Sequence, residues 1–146
     1  MKDHFDIDAV ALLVFSHTGR MLVLKELKSK PEYGKWAGML TFPIETIHDR
    51  ELKMEALDRL AREEIGIDLT SLRLVTFFEE RIFEFLSGRR GRIFIYVAQS
   101  FEEFIAIPGD YDDVEFFGWK HPEELLLLEG DGILRKEVAP VLEQFV

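Results

Sequence analysis

Short apolar runs alternate with polar turns along this chain, and the pattern predicts several β-strands. The first run, Ala9–Phe15, is continuously apolar and partly β-branched, as in a strand buried on both faces. A polar turn separates it from Met21–Leu24, so we expect these two runs to form a hairpin. Further strands are predicted over Leu72–Phe78, Arg81–Leu86, Arg92–Ala98 and Val114–Trp119.

One segment, residues 51–65, has the periodicity of an amphipathic helix. Its apolar residues recur at three- and four-residue steps and so form one stripe. Asp49 is predicted to cap the start of this helix, and Gly66 follows where a capping glycine belongs. Later helices are expected from Pro122 and over about Ile133–Phe145.

The order of these elements predicts one mixed α/β domain over residues 1–146. Strands come first, then one helix, more strands and the last helices, which is typical of an α+β arrangement. Thirteen Phe residues among 146 provide enough bulk for a single core. The chain has no Cys, which excludes disulfides, thiolate zinc sites and thiol nucleophiles.

The charge balance restricts the partners that the chain can bind. Asp and Glu number 28 against 18 Lys and Arg, giving a net charge of −10. Such a chain repels polyphosphate at long range, so we expect no DNA or RNA partner, although a small anion can still bind at a local basic group or metal ion. No apolar run is long enough for a bilayer and the first residues lack a secretory pattern, so no membrane association and a cytoplasmic location are expected.

Two adjacent carboxylates lie at unusual positions in the predicted helix. Glu64 falls inside the apolar stripe four residues after Leu60, and Glu63 lies at its edge, one turn after Arg59. Both are in the last turn, where the helix dipole disfavours negative charge. A divalent cation would compensate this charge, because Mg²⁺ binds carboxylates together with phosphates. A solvated helix end with Glu63 paired to Arg59 is the alternative, and helix geometry alone favours it.

The run from Glu51 to Ile67 resembles the signature box of the Nudix hydrolases. That box reads G, five residues, E, seven residues, R-E-U-x-E-E-x-G-U, where U is apolar. Seven residues match it in register: Glu51, Arg59, Ala61, Glu63, Glu64, Gly66 and Ile67. The apolar hairpin before the box and the Phe-Pro pair just ahead of it also fit the family. The resemblance therefore favours a metal site at Glu63 and Glu64.

Two positions depart from the family's pattern. Glu45 occupies the position of the opening glycine, and Ile44 precedes it where Pro-Gly-Gly is usual in the family. Leu60 occupies the position of the acid that commonly binds metal or acts as a base in the family. A hydrocarbon side chain neither binds Mg²⁺ nor accepts a proton. The box is therefore degenerate.

The resemblance implies a Nudix fold, in which a mixed β-sheet is sandwiched between α-helices, and a hydrolase. Its activity would be Mg²⁺-dependent or Mn²⁺-dependent hydrolysis of a nucleoside diphosphate linked to another moiety. Glu63 and Glu64 would hold the metal and carry catalysis, with Glu115 as an extra acid. Arg59 would fix the helix against the preceding loop.

Four other residues are candidates for binding the nucleotide. Trp36 and Phe42 lie in a run, Gly34–Glu45, that also resembles the Nudix-like C-terminal domain of adenine DNA glycosylases. Arg89 and Arg90 lie in the one concentrated basic turn of the chain and could pair with phosphate. A loop Trp covering the core and an exposed hairpin turn are the alternatives.

The glycosylase domain uses the Nudix fold for recognition and does not hydrolyse nucleotides. The alternative function is therefore a catalytically impaired Nudix module that binds or senses a nucleotide, and a third is an interaction domain without a small-molecule site. The sequence leaves a homodimer open.

Overall fold

A seven-stranded mixed sheet organises the part of the chain that the computed structural model describes, residues 5–85, 87–109, 113–128 and 132–146. Its strands are β1 Ile7–Ser16, β2 Met21–Glu26, β3 Leu40–Thr41, β4 Ile44–Thr46, β5 Arg73–Glu84, β6 Arg90–Ser100 and β7 Val114–Lys120. The helices are α1 Lys53–Leu60, α2 Pro122–Leu126 and α3 Val138–Leu142. A π-helix, Ala61–Ile65, continues directly from α1.

The most apolar strand, β1, lies at the centre of the sheet. It pairs with β2 and β4 in antiparallel fashion and with β6 in parallel, and β5 follows β6 at the edge. Six consecutive residues of β1 are buried, as expected for a strand that is covered on both faces. The predicted hairpin of β1 and β2 is confirmed.

Helices cover the sheet on both faces. On one face, α1 packs Leu57 and Leu60 against Leu12 and Phe94 in a shared core cluster. On the other face, residues of α2 and α3 pack in a second cluster with the alternate side chains of β1. The predicted class, a mixed sheet between helices, is confirmed. None of the helices in the described ranges is long and apolar enough to cross a membrane.

The two strands predicted over Leu72–Phe78 and Arg81–Leu86 are one strand, β5, and that part of the prediction is wrong. Leu86 itself lies outside the described residues. Glu79 and Glu80 interrupt the apolar pattern but not the strand, because β5 is an edge strand whose side chains reach solvent. Two register shifts against β6 show where the strand bulges.

The helix at the centre of the sequence is shorter and less regular than predicted. It begins at Lys53, and the Glu55 carboxylate accepts the Leu52 N–H at 3.0 Å, so Asp49 is not its cap. Its end is as predicted, because Gly66 adopts a positive φ of 79° that favours glycine. The last predicted helix is also shorter, since α3 spans only Val138–Leu142.

Candidate functional site

A π-turn determines how the two carboxylates of the box are presented. The Gly66 N–H donates to the Ala61 carbonyl at 2.9 Å, five residues back, which widens the last turn beyond α-helical geometry. Glu64 is buried, with 5% of its surface exposed, whereas the side chain of Glu63 is 52% exposed. The predicted contrast between a buried and a peripheral acid is therefore present at the helix end.

The Arg59 side chain, which is 13% exposed, joins this helix end to the preceding segment. Nε and Nη2 donate to the two oxygens of Glu51 at 3.0 and 3.1 Å. Nη1 donates to Glu45 Oε2 at 3.1 Å and to Glu63 Oε2 at 3.3 Å. Nη2 also donates to the Thr46 carbonyl at 2.6 Å. Arg59 thus holds together residues from β4, the loop before α1 and the π-helix.

This network shifts the acid–base behaviour of its members. The hydrogen bonds from Arg59 and from the His48 N–H lower the pKa of Glu51 from 4.5 to about 2. The same bonds to Glu51 hold the pKa of Arg59 above its ordinary value. Glu51 and Arg59 are therefore both charged at neutral pH.

We expect Glu51 to make stability pH-dependent in acid. Its pKa is lower in the folded chain, so its contribution is present above pH 4.5 and is lost as the pH falls toward about 2. Urea unfolding between pH 5 and pH 2.5 should show a smaller loss of stability in Glu51→Gln than in the wild type. Glu103→Gln should remove a separate contribution in the same range, since the pKa of Glu103 is also about 2. Identical pH profiles for Glu51→Gln and the wild type would contradict the assignment.

Glu45 and Glu64 form a second link across the site. The Ile44 N–H donates to Glu64 Oε2 at 3.1 Å, so β4 and the π-helix are joined by the buried acid. The side chains of Glu45 and Glu64 are close enough to interact. Burial raises the pKa of Glu45 above its ordinary value, and the bond from Arg59 opposes this rise.

These groups line one cavity of about 500 Å³, which we call the acidic cavity. Its lining comprises Lys30, Lys35, Ile44, Glu45, Thr46, His48, Arg59, Glu63, Glu64, Gly109, Asp113 and Val114. Two lysines lie at its border, and each already faces a carboxylate: Lys30 Nζ is 3.3 Å from Asp113 Oδ2, and Lys35 Nζ is 3.2 Å from Glu26 Oε2. The lining of the cavity therefore combines acids with cations.

A second cavity of about 390 Å³, which we call the aromatic cavity, adjoins the first. The two share Lys30, Lys35, Ile44 and Thr46. The remaining lining of the aromatic cavity is largely apolar and comprises Ile7, Ala9, Tyr33, Phe83, Phe85, Arg89, Ile93 and Arg135. The arrangement therefore places an aromatic surface next to an acidic site, with lysines between them.

The other residues singled out in the sequence lie in different places. Arg89 lines the aromatic cavity. Phe42 is fully buried in the core and borders a separate cavity of about 250 Å³. Trp36 is 52% exposed, and Arg90 packs over the ring of Phe5. Glu115 pairs with Lys25 at 2.9 Å. Neither the acidic nor the aromatic cavity is lined by Phe42, Trp36, Arg90 or Glu115.

Sequence reasoning missed several residues that the fold brings to the site. Glu45 was noted only as a departure from the box, yet pairing of β4 with β1 places it beside Arg59. Lys30 and Lys35 come from the loop after β2, where neither charge nor spacing singles them out. The basic Arg89–Arg92 turn was the more obvious candidate, but the Arg92 guanidinium is already paired with Asp8 at 2.9 Å.

The donor set fits a hard divalent cation in its chemistry. Glu45, Glu63 and Glu64 offer carboxylate oxygens, the ligands that Mg²⁺ and Mn²⁺ prefer. In the described residues, no three such side chains are grouped as a metal site would require. Arg59 donates to both Glu45 and Glu63. Glu63 already lines the cavity, with a side chain that is 52% exposed.

Structural comparison places the chain among known folds. The dihydroneopterin triphosphate pyrophosphohydrolase of E. coli superposes with a TM-score of 0.69 at 15% identity, covering 95% of this chain and 94% of the other. A MutT protein from Methanosarcina mazei gives 0.68 at 19% identity, covering 99% and 96%. An Ap4A hydrolase from C. elegans gives 0.63 at 17%, covering 95% and 94%. At these identities the likeness establishes the fold.

Sequence comparison is more specific. No curated protein matches the chain. The model of the NUDIX domain matches residues 6–142, from the start of β1 to the end of α3. The matched range includes Glu63 and Glu64 as well as both departures from the box, Glu45 and Leu60. The chain therefore belongs to the NUDIX family.

Proposed function

We propose that this protein is a metal-dependent hydrolase that cleaves the diphosphate of a nucleoside diphosphate linked to another moiety. The observation that carries the proposal is the position of Glu63 and Glu64 in the wall of one cavity, at the end of the box helix. In the reaction, water adds across the P–O–P bond and yields two phosphate-bearing products. We infer that the protein acts in the cytoplasm on small molecules.

Glu63 and Glu64 are the proposed metal ligands, and Arg59 positions them. When bound, Mg²⁺ or Mn²⁺ would offset the charge of the diphosphate and activate water for attack. Glu64 is fixed by the Ile44 N–H, so its carboxylate needs little reorganisation. Arg59 both restrains Glu63 and joins the helix end to β4.

The two adjoining cavities match a substrate with an anionic centre and an aromatic end. Lys30 and Lys35 line both cavities and would face the phosphates. The base would lie in the aromatic cavity, near Tyr33 and Phe85, whose rings form an edge-to-face pair with centroids 5.2 Å apart. Arg89 lies at the same cavity and would contact the far moiety or the ribose.

The proposal predicts hydrolysis in a panel of nucleoside diphosphate derivatives with Mg²⁺ or Mn²⁺. The Glu63→Gln/Glu64→Gln variant should lose at least about 100-fold in rate. Substitution of residues that only support the ligands of a metal typically already lowers metal affinity or activity by about 10–100-fold. Phosphate-bearing products would be followed by ³¹P NMR. Glu123→Gln/Glu124→Gln is the matched control, since it neutralises two adjacent exposed acids on α2 and should retain activity.

Two outcomes would redirect the proposal. Nucleotide binding without turnover would favour the impaired binding module, a reading supported by the fully buried Leu60 at the family's acid position. Equal activity in the two double variants would exclude Glu63 and Glu64 as metal ligands.

A further inference from the structure

The two departures from the Nudix box have opposite chemistry. Leu60 replaces an acid, is fully buried and belongs to the core cluster between α1 and the sheet. Glu45 replaces a glycine and lines the acidic cavity. Relative to the box, the chain has thus lost one carboxylate on the helix and gained one on the facing strand.

The contacts of Glu45 direct its carboxyl group toward the box acids. Its strand, β4, is held by antiparallel pairing of Glu45 with Val10 in β1. Glu45 Oε2 and Glu63 Oε2 accept from the same Arg59 nitrogen, at 3.1 and 3.3 Å. Glu45 and Glu64 also line the same cavity. The side chain is only 18% exposed, so it is not a solvated surface acid.

The carboxylates that contact Arg59 outnumber the cations bonded to them. Arg59 is the one cation bonded to Glu45, Glu51 and Glu63 in the described part of the chain, and Glu51 takes two of its hydrogen bonds. Lys30 and Lys35, at the border of the cavity, face Asp113 and Glu26. A partly buried surplus of negative charge is costly without a counter-ion, and a divalent cation would supply one.

We propose that Glu45 is the third carboxylate of the cation site, together with Glu63 and Glu64, and replaces the acid lost at Leu60. This inference rests on the proposed metal-dependent function and assigns one further ligand to it. Glu at the glycine position of the box then has a function. Its carboxylate, on β4, supplies the negative charge that α1 lacks at Leu60.

Binding of Mn²⁺ alone to the intact chain tests this assignment without substrate. The electron paramagnetic resonance signal of free Mn²⁺ measures the dissociation constant directly. Glu45→Gln preserves the size of the side chain and should weaken Mn²⁺ binding at least about tenfold. Glu124→Gln removes one exposed negative charge on α2 and is the matched control, which should bind as the wild type does.

A second variant keeps the test informative if Glu45→Gln alters the fold. Glu45→Gln/Leu60→Glu returns an acid to the family's position, and its Mn²⁺ affinity should recover toward that of the wild type. Circular dichroism and melting curves of all variants would detect any change in fold.

The possible results separate this inference from the proposed function. If the wild type and Glu45→Gln bind Mn²⁺ equally while Glu63→Gln/Glu64→Gln does not bind, the Glu45 assignment is overturned and the proposed function stands. If the wild type itself binds no Mn²⁺, both are overturned. Weakened binding in Glu45→Gln with unchanged binding in the control supports the assignment.

Discussion

Replacing Arg59 with alanine is expected to lower the free energy of unfolding by about 3 kcal/mol, because it breaks a largely buried ion-pair network. The guanidinium is 13% exposed, and its partners Glu45 and Glu51 are 18% and 15% exposed. Without Arg59, both partly buried carboxylates lose the cation that they share. The Thr46 carbonyl also loses its donor, which adds to the cost.

Urea unfolding of Arg59→Ala and Arg62→Ala provides a matched comparison. Arg62 lies three residues later, is 58% exposed and pairs with Asp58 at 3.4 Å within the helix. An exposed pair of this kind contributes up to about 1 kcal/mol, so Arg62→Ala should change stability little. Arg59→Lys should also be destabilised, because an ammonium cannot reproduce the bidentate contact with Glu51. Equal effects at the two arginines would contradict a structural role for the Arg59 network.

Local patterns were sufficient to predict the elements that depend on their own residues. The continuous apolar run of β1, the turn to β2 and the glycine after the box helix each have a local cause, and all three are present. In contrast, nothing in the local sequence indicates that the two predicted strands form the single strand β5. The acids in the middle of β5 are tolerated because the strand lies at the sheet edge, which depends on the topology of the whole sheet.

The candidate site could be predicted only where its residues lie in one segment. Arg59, Glu63 and Glu64 are in one helical segment, so spacing and resemblance indicated them directly. Glu45 and the two border lysines reach the cavity through strand pairing and loop packing, which helical spacing does not describe. The π-turn could not be predicted from periodicity, because the apolar spacing of residues 51–65 fits an uninterrupted α-helix.

Introducing an acid at position 60 is expected to have two opposing effects. Leu60 is fully buried, so Leu60→Glu without metal should lower the free energy of unfolding by on the order of 3 kcal/mol. Residue 60 also lies one helical turn before Glu64, on the face where the family has its acid. A divalent cation should therefore recover part of the lost stability, because it binds the folded form preferentially.

Leu57→Glu is the control that separates burial from metal binding. Leu57 is equally buried in the same cluster but lies two turns before Glu64, too far along the helix to share a ligand with it. Unfolding of both variants with and without Mn²⁺ should show similar destabilisation in the absence of metal and recovery only for Leu60→Glu. The same stabilisation by Mn²⁺ in both variants would mean that position 60 does not reach the cation. A recovery confined to Leu60→Glu, together with an increase in hydrolysis, would mean that the site accommodates an acid from the helix as well as from β4.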